Sequence, residues 1–384
     1  MQIKKVYGEE TKDSRGEPTI AVFIETNVGK FSASSPDGKS KGKFEAKSYK
    51  KNLQEDIKTL KKFSDYFAEE IIEEFQDLRQ VEDIIKEYVG ANTLFALEAA
   101  ILKAIAKEKK KQVWQVINPG AKKVPRFVGN CVGGGKHSQT EKKPDFQEFL
   151  LISDLKSARE NSESNKKIRN SVGDELKIED KTFTFKVSDE KGWMTSLNEK
   201  EVLDILTRFK LPFGVDVASS SFYSRKKYHY ENPKLDRTAD EQLFYLSNLI
   251  KNYKIFYIED PFDEEDFENF ANLLKTFPNC LIVGDDLTVT NLKRLEKAIK
   301  LNSINGIIVK PNQNGSLLQV KEVCELAKKN NIKTVFSHRS GETEENILAD
   351  LAIGFGADFL KCGITGKERE AKIKRLIEIE KAMK

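Results

Sequence analysis

Cysteine is scarce in this chain: four residues in 384, Cys131, Cys280, Cys324 and Cys362, with no CxxC pair among them. That argues against a disulfide framework and a thiolate zinc site, and it fits a reducing, cytoplasmic setting. Long apolar runs are missing too. No uncharged stretch approaches the roughly 20 residues that a bilayer span needs. The opening MQIKKVYGEETKDSRGEP turns polar at once, so neither a secretory signal nor a membrane span is expected. Nor is there an excess of one charge: 65 Lys+Arg stand against 61 Asp+Glu, a net +4 spread over a heavily charged surface. Without a basic arm or stripe, nucleic acid is not an expected partner.

What is present is a change of pattern along the chain. Residues 2 to 33 alternate polar and apolar positions, as in PTIAVFIETNVGKFSAS, which predicts antiparallel strands with one solvated face. The stretch SSPDGKSKGKFEA has no periodicity and is long enough to be a lid; helical spacing then runs from about 49 to 110. INPGAKKVP, with two prolines and a glycine, marks a boundary. The expected domains are therefore 1–120, an α+β cap, and 121–384. In the second part, short β-branched or aromatic runs (FGVDVA, KIFYIED, CLIVGDD, INGIIVKP, KTVFSHRS, ADFLKCG) alternate with helical stretches such as LLQVKEVCELAKKN. Strand ends recur at gaps of 23 to 43 residues, about one βα unit, so the fold class is α/β with a closed parallel barrel of the TIM type.

Every one of these strands ends in an ionisable residue. Asp216, Glu259 and Asp285 end three successive strands; Lys310, His338 with Arg339, and Lys361 end the next three. Charges at buried strand ends are costly unless they are paired or bound to metal, and the C-terminal rim is where barrel enzymes keep their chemistry. A lone Asp or Lys after a strand is usually a helix cap or a solvated charge, but six in register form a constellation. Three carboxylates without a cysteine or histidine cluster suit a hard ion such as Mg²⁺.

At this point long stretches match a known family in order: SRGEPTI (14–20), PDGKSKGKFEA (36–46), GANTLFALEAAILKA (90–104), GNCVGGGKHS (129–138), DFQEF (145–149), FGVDVASSSFY (213–223), IEDPFDEED (258–266), VGDDLTVTN (283–291), VKPNQNGSLL (309–318) and SHRSGETEENILADLA (337–352). The sequence resembles enolases over nearly its whole length, with GNCVGGGKH closer to the archaeal form. The resemblance implies an N-terminal α+β domain before a modified β/α barrel, and dehydration of 2-phosphoglycerate to phosphoenolpyruvate with two Mg²⁺ ions. It implies that Asp216, Glu259 and Asp285 hold one ion and Ser40 the other. Lys310 would be the base at C2 and Glu190 the acid at the C3 hydroxyl. Arg339 and Ser340 would hold the phosphate and Lys361 the carboxylate, with His137, Gln147, Glu148 and His338 lining the pocket. A homodimer or octamer is implied as well. As the base must be neutral, Lys310 is expected to have a lowered pKa, through burial and neighbouring cations, the metal ions included.

The chain departs from the family at a few places. Ser188 and Lys191 stand where glycines flank the acid, Ser221 replaces an acidic residue, and Pro311 follows the base in place of an aliphatic residue. Two other readings compete. One is a member of the wider enolase superfamily with another carboxylate substrate; the other is a catalytically idle scaffold of the same fold. The retained SHRSGE element and the intact set of ligands and base favour the enzyme.

Overall fold

The computed structural model describes residues 1–39 and 42–383. The chain opens with β1 (Ile3–Lys12), β2 (Pro18–Thr26) and β3 (Gly29–Ser34), an antiparallel meander. Their alternating pattern puts Ile20, Val22 and Ile24 on a buried face. Four helices follow: α1 (Leu53–Phe63), α2 (Leu78–Ile85), α3 (Ala91–Glu108) and α4 (Val113–Ile117). Apolar nearly all round, α3 is buried along most of its length, as such a helix must be.

From Arg126 onward the chain closes a barrel. Its strands are β4 (Arg126–Gly133), β5 (Glu148–Leu151), β7 (Phe213–Asp216), β11 (Tyr257–Glu259), β12 (Leu281–Gly284), β13 (Gly306–Val309), β14 (Lys333–Ser337) and β15 (Phe359–Lys361), and β15 pairs with β4 to complete the ring. A two-residue strand, β6 (Trp193–Met194), adds to β4, and β8 (Tyr223–Ser224), β9 (Lys227–Glu231) and β10 (Lys234–Arg237) form a separate small sheet. Outside the ring lie α5 (Ala158–Glu179), α6 (Glu199–Thr207), α7 (Ala239–Tyr253), α8 (Phe267–Thr276), α9 (Leu292–Leu301), the single turn α10 (Pro311–Asn314), α11 (Leu317–Lys329), α12 (Ile347–Gly354) and α13 (Lys367–Met383).

The expectation of an all-parallel sheet is corrected at one strand. β5 runs antiparallel to both neighbours, β4 and β7. The reason is the connection: β4 reaches β5 by a loop on the same rim, with no crossover helix, and two helices, α5 and α6, then precede β7. The polar stretch after Asp154, the hardest to read, is chiefly α5, capped by Ser157 through Glu160 N–H. Inside the ring Val128, Leu150, Tyr257, Val283, Ile308 and Val335 form their own apolar cluster, so the barrel is filled, not hollow. Among the described residues no helix is long and apolar enough to cross a membrane.

Candidate active site

The strand ends converge on a cavity of about 350 Å³. Asp216 ends β7 and Glu259 ends β11 in register with it, while Asp285 follows the last residue of β12. Lys310 follows β13, His338 to Ser340 follow β14, and Lys361 ends β15. Glu148 opens β5. Because β5 is reversed, its first residue lies at this rim, opposite Asp216.

Lys361 occupies the middle of the carboxylates. Its Nζ is 2.8 Å from both Asp216 Oδ2 and Glu259 Oε1, and 3.0 Å from Glu148 Oε2. Burial acts to lower its pKa, but Asp216, Glu148 and Glu259 together outweigh burial and hold the ammonium well above the usual lysine range. Burial, reinforced by the charge of Asp216, pushes Glu259 well above the usual carboxylate range. Asp260, next in sequence, accepts the backbone N–H groups of Asp285 at 2.9 Å and Asp286 at 2.7 Å, and one oxygen from each of these three acids converges within 4.8 Å. Such a donor set, all oxygen and crowded with like charge, fits a hard divalent cation, and of the expected ligands it contains Asp285. The Lys361 ammonium already stands in a cation's place between Asp216 and Glu259.

Lys310 donates to Asp285 Oδ2. From the protein's own groups alone its pKa is raised: burial lowers it, but direct contact with Asp285 outweighs both burial and the cations Arg339 and Lys361. Its backbone N–H donates to Thr290 Oγ1 at 2.9 Å. Pro311 takes the first position of α10, where no N–H is needed, so it leaves the base's backbone in place. Val289 and Thr290 both have left-handed φ, +44° and +52°, in the loop that runs on from Asp285. For β-branched residues that conformation costs roughly 1–2 kcal/mol each, strain held where the site needs it.

Around the ring β13 and β5 are four strands apart in either direction, so Lys310 faces Glu148 across the barrel. Between Glu148 and the end of β14 four groups cluster. His137 Nδ1 is 3.6 Å from Glu148 Oε1 and 3.8 Å from Glu190 Oε1, and His338 Nε2 is 3.2 Å from Glu190 Oε2. Asn130 Nδ2 donates to Glu148 Oε1 at 2.9 Å. Burial, then the charge of Glu190, raises the Glu148 carboxyl to about 7. Burial would raise Glu190 likewise, but His338 and His137 outweigh it and hold Glu190 well below the usual range. Burial in turn lowers His338 against the pull of Glu190. Both shifts favour the deprotonated forms, so an ionised Glu190 stands 3.2 Å from a buried His338 Nε2 that has no hydrogen bond of its own.

Glu190 sits on a tight turn between the bridged residues Val187 and Trp193. Ser188 N–H donates to Gly192 O at 2.8 Å and Lys191 N–H to Ser188 O at 2.9 Å. Lys191 adopts φ +66°, so a lysine occupies a left-handed position where the resemblance expects glycine. Ser188 packs on Gly133, where a Cβ would meet its Oγ at 2.8 Å. Ser221 borders the same cavity.

Gly38, Lys39, Gly42 and Lys43 border the cavity. Gly38 is pressed so close to Arg339 that a Cβ would meet Nη2 at 2.1 Å. Lys39 N–H donates to Ser340 Oγ at 2.8 Å, and Lys39 Nζ pairs with Asp189 Oδ2 at 3.1 Å. Arg339 is held by Glu45 Oε1 at 2.8 Å and by Asn312 Oδ1 at 3.2 Å. Gln147 borders the cavity, its N–H bonded to Asp216 O at 2.9 Å. Ser40 lies outside the described residues. All the other candidate residues meet at this one rim. Sequence reading passed over Glu45, Asn130 and Asp260, although each lies inside or beside a matched stretch: KFEA, GNC and IEDP.

Two family models match the chain: "Enolase, N-terminal domain" over residues 3–117 and "Enolase, C-terminal TIM barrel domain" over residues 121–384. Among curated relatives, the enolase of Methanosphaera stadtmanae is 37% identical over 97% of this chain and 95% of its own. That of Sulfurisphaera tokodaii is 36% identical over 99% and 96%, and that of Pyrobaculum aerophilum 33% identical over 99% and 96%.

Proposed function

Because this chain belongs to the enolase family and is a phosphopyruvate hydratase, a lyase of glycolysis and gluconeogenesis, we propose that Lys310 and the Glu190 cluster divide its reaction between the two sides of the cavity. The observation that carries this is that both groups border one cavity: Lys310 follows β13, and Glu190 meets His137, which packs on Glu148, four strands from β13 around the ring. Lys310 Nζ takes the C2 proton of 2-phosphoglycerate; Glu190 gives a proton to the C3 hydroxyl. The C2–H and C3–O bonds break, the C2=C3 bond forms, and water leaves with phosphoenolpyruvate.

Asp216, Glu259 and Asp285 would hold a Mg²⁺ ion, with a second at Ser40. Bound there, the ions supply the charge that stabilises the anion left by deprotonation at C2. Arg339 and Ser340 bind the phosphate, so the phosphate competes with Glu45 for the guanidinium. Lys361 is shared between the carboxylates it neutralises here and the carboxylate of the substrate. Gln147, Glu148, His137 and His338 complete the wall. Lys310 acts as base only when its ammonium is relieved of Asp285, and an ion held by Asp285 would favour that by drawing off the carboxylate's charge.

In the same reading 1–120 is a cap over the barrel of 121–384, the enzyme works in the cytoplasm, and it assembles as a homodimer or octamer. Lys310→Ala tests the assignment of the base. Both product formation and exchange of the C2 hydrogen with D₂O are expected to vanish; exchange persisting at the wild-type rate would remove Lys310 from the role.

A further inference from the structure

The turn that presents Glu190 has an unusual support. Arg169, on α5, is 5% exposed, yet among the described residues no carboxylate stands within ion-pair reach of it. Its guanidinium carbon lies over the Trp193 ring, 3.8 Å from the centroid, and Nη2 donates to Lys191 O at 2.8 Å. The clamp closes on itself: Trp193 Nε1–H donates back to Arg169 O at 2.8 Å. Gly173, one turn along α5, leaves the room the indole needs, for a Cβ there would stand 3.1 Å from Trp193 Nε1.

A buried guanidinium is costly, and a stacked indole with one carbonyl is a modest return unless the geometry it fixes matters. What it fixes is the peptide joining Lys191 to Gly192, just after Glu190. That peptide follows a left-handed lysine, a conformation the residue does not choose by itself. On the other side Gly363 packs against Glu190 O, where a Cβ would come within 2.8 Å. Arg169 therefore sets the turn from outside while the barrel sets it from inside.

We infer that Arg169, locked by Trp193, is a positioning residue for the acid: it holds the Glu190 turn so that the carboxyl faces His338 and the cavity, and it acts on C–O cleavage without acting on proton abstraction at C2. The inference rests on the reading of Glu190 as the acid. The two half-reactions can be measured apart, because of the two proton-transfer groups exchange of the C2 hydrogen with D₂O needs Lys310 but not Glu190, whereas dehydration needs both.

Arg169→Met, Arg169→Lys, Trp193→Phe and Glu190→Gln are compared by C2 exchange and by phosphoenolpyruvate formation, with circular dichroism as the check on folding. Arg169→Met is expected to lose on the order of tenfold or more in dehydration while exchange stays within about twofold, with Arg169→Lys recovering part of the loss. Trp193→Phe shifts the ratio in the same direction by less. Dehydration and exchange falling together in folded Arg169→Met, or neither falling, overturns the inference. Should Arg169→Met not fold, the ratio in Trp193→Phe decides, and an unchanged ratio overturns it. Wild-type dehydration by Glu190→Gln would instead remove the premise, the role of Glu190, whatever Arg169→Met does.

Discussion

Lys361 Nζ stands 2.8 Å from Asp216 Oδ2, and the same nitrogen is 2.8 Å from Glu259 Oε1. A lysine thus neutralises two of the three carboxylates proposed to hold Mg²⁺, and all three groups are almost wholly buried. Without its ammonium the carboxylates would be left unpaired in a site that water barely reaches.

Lys361→Met is therefore expected to destabilise the metal-free protein by about 3–5 kcal/mol, the usual cost of stranding buried charge. Added Mg²⁺ should restore part of that by replacing one cation with another. Chemical unfolding in chelator and in Mg²⁺ measures both effects; a variant as stable as the wild type in chelator would refute the ion-pair account.

A second expectation concerns pH. Burial and then Glu190 raise the Glu148 carboxyl from its ordinary 4.5 to about 7, so between those values the folded protein keeps a proton that the unfolded chain has released. Where the folded state binds more protons, stability falls as pH rises. The wild type should lose stability through that window, by on the order of 3 kcal/mol, relative to Glu148→Gln, which has no such proton. Unfolding curves for the two proteins that stay parallel across the window would contradict it.

Lys191→Gly should stabilise the protein, by up to about 1 kcal/mol, because glycine adopts φ +66° without the steric cost that lysine bears. The measurement is the shift in thermal midpoint. A drop in midpoint would show that the lysine side chain, which lies against Gly366, contributes more than its backbone costs.

Much of the barrel was legible because ionisable residues after apolar runs mark strand ends: Asp216, Glu259, Asp285, Lys310 and Lys361 all stand where the sequence places them. The direction of β5 was not. Its four residues, all buried, carry no signal that separates parallel from antiparallel pairing, since that depends on which rim the next connection uses. The contact between Lys310 and Asp285 was not legible either, since register and the loop after β12 bring the two together. Arg169 and Trp193 were invisible as a pair: α5 reads as a polar helix, and nothing in its period says which arginine turns inward.

The most direct test of the central claim is the conversion of 2-phosphoglycerate to phosphoenolpyruvate by the purified chain, first with Mg²⁺ and then after chelation. The account predicts product with Mg²⁺, its loss on chelation and its return when Mg²⁺ is restored. Absence of Mg²⁺-dependent product at high enzyme concentration would contradict it.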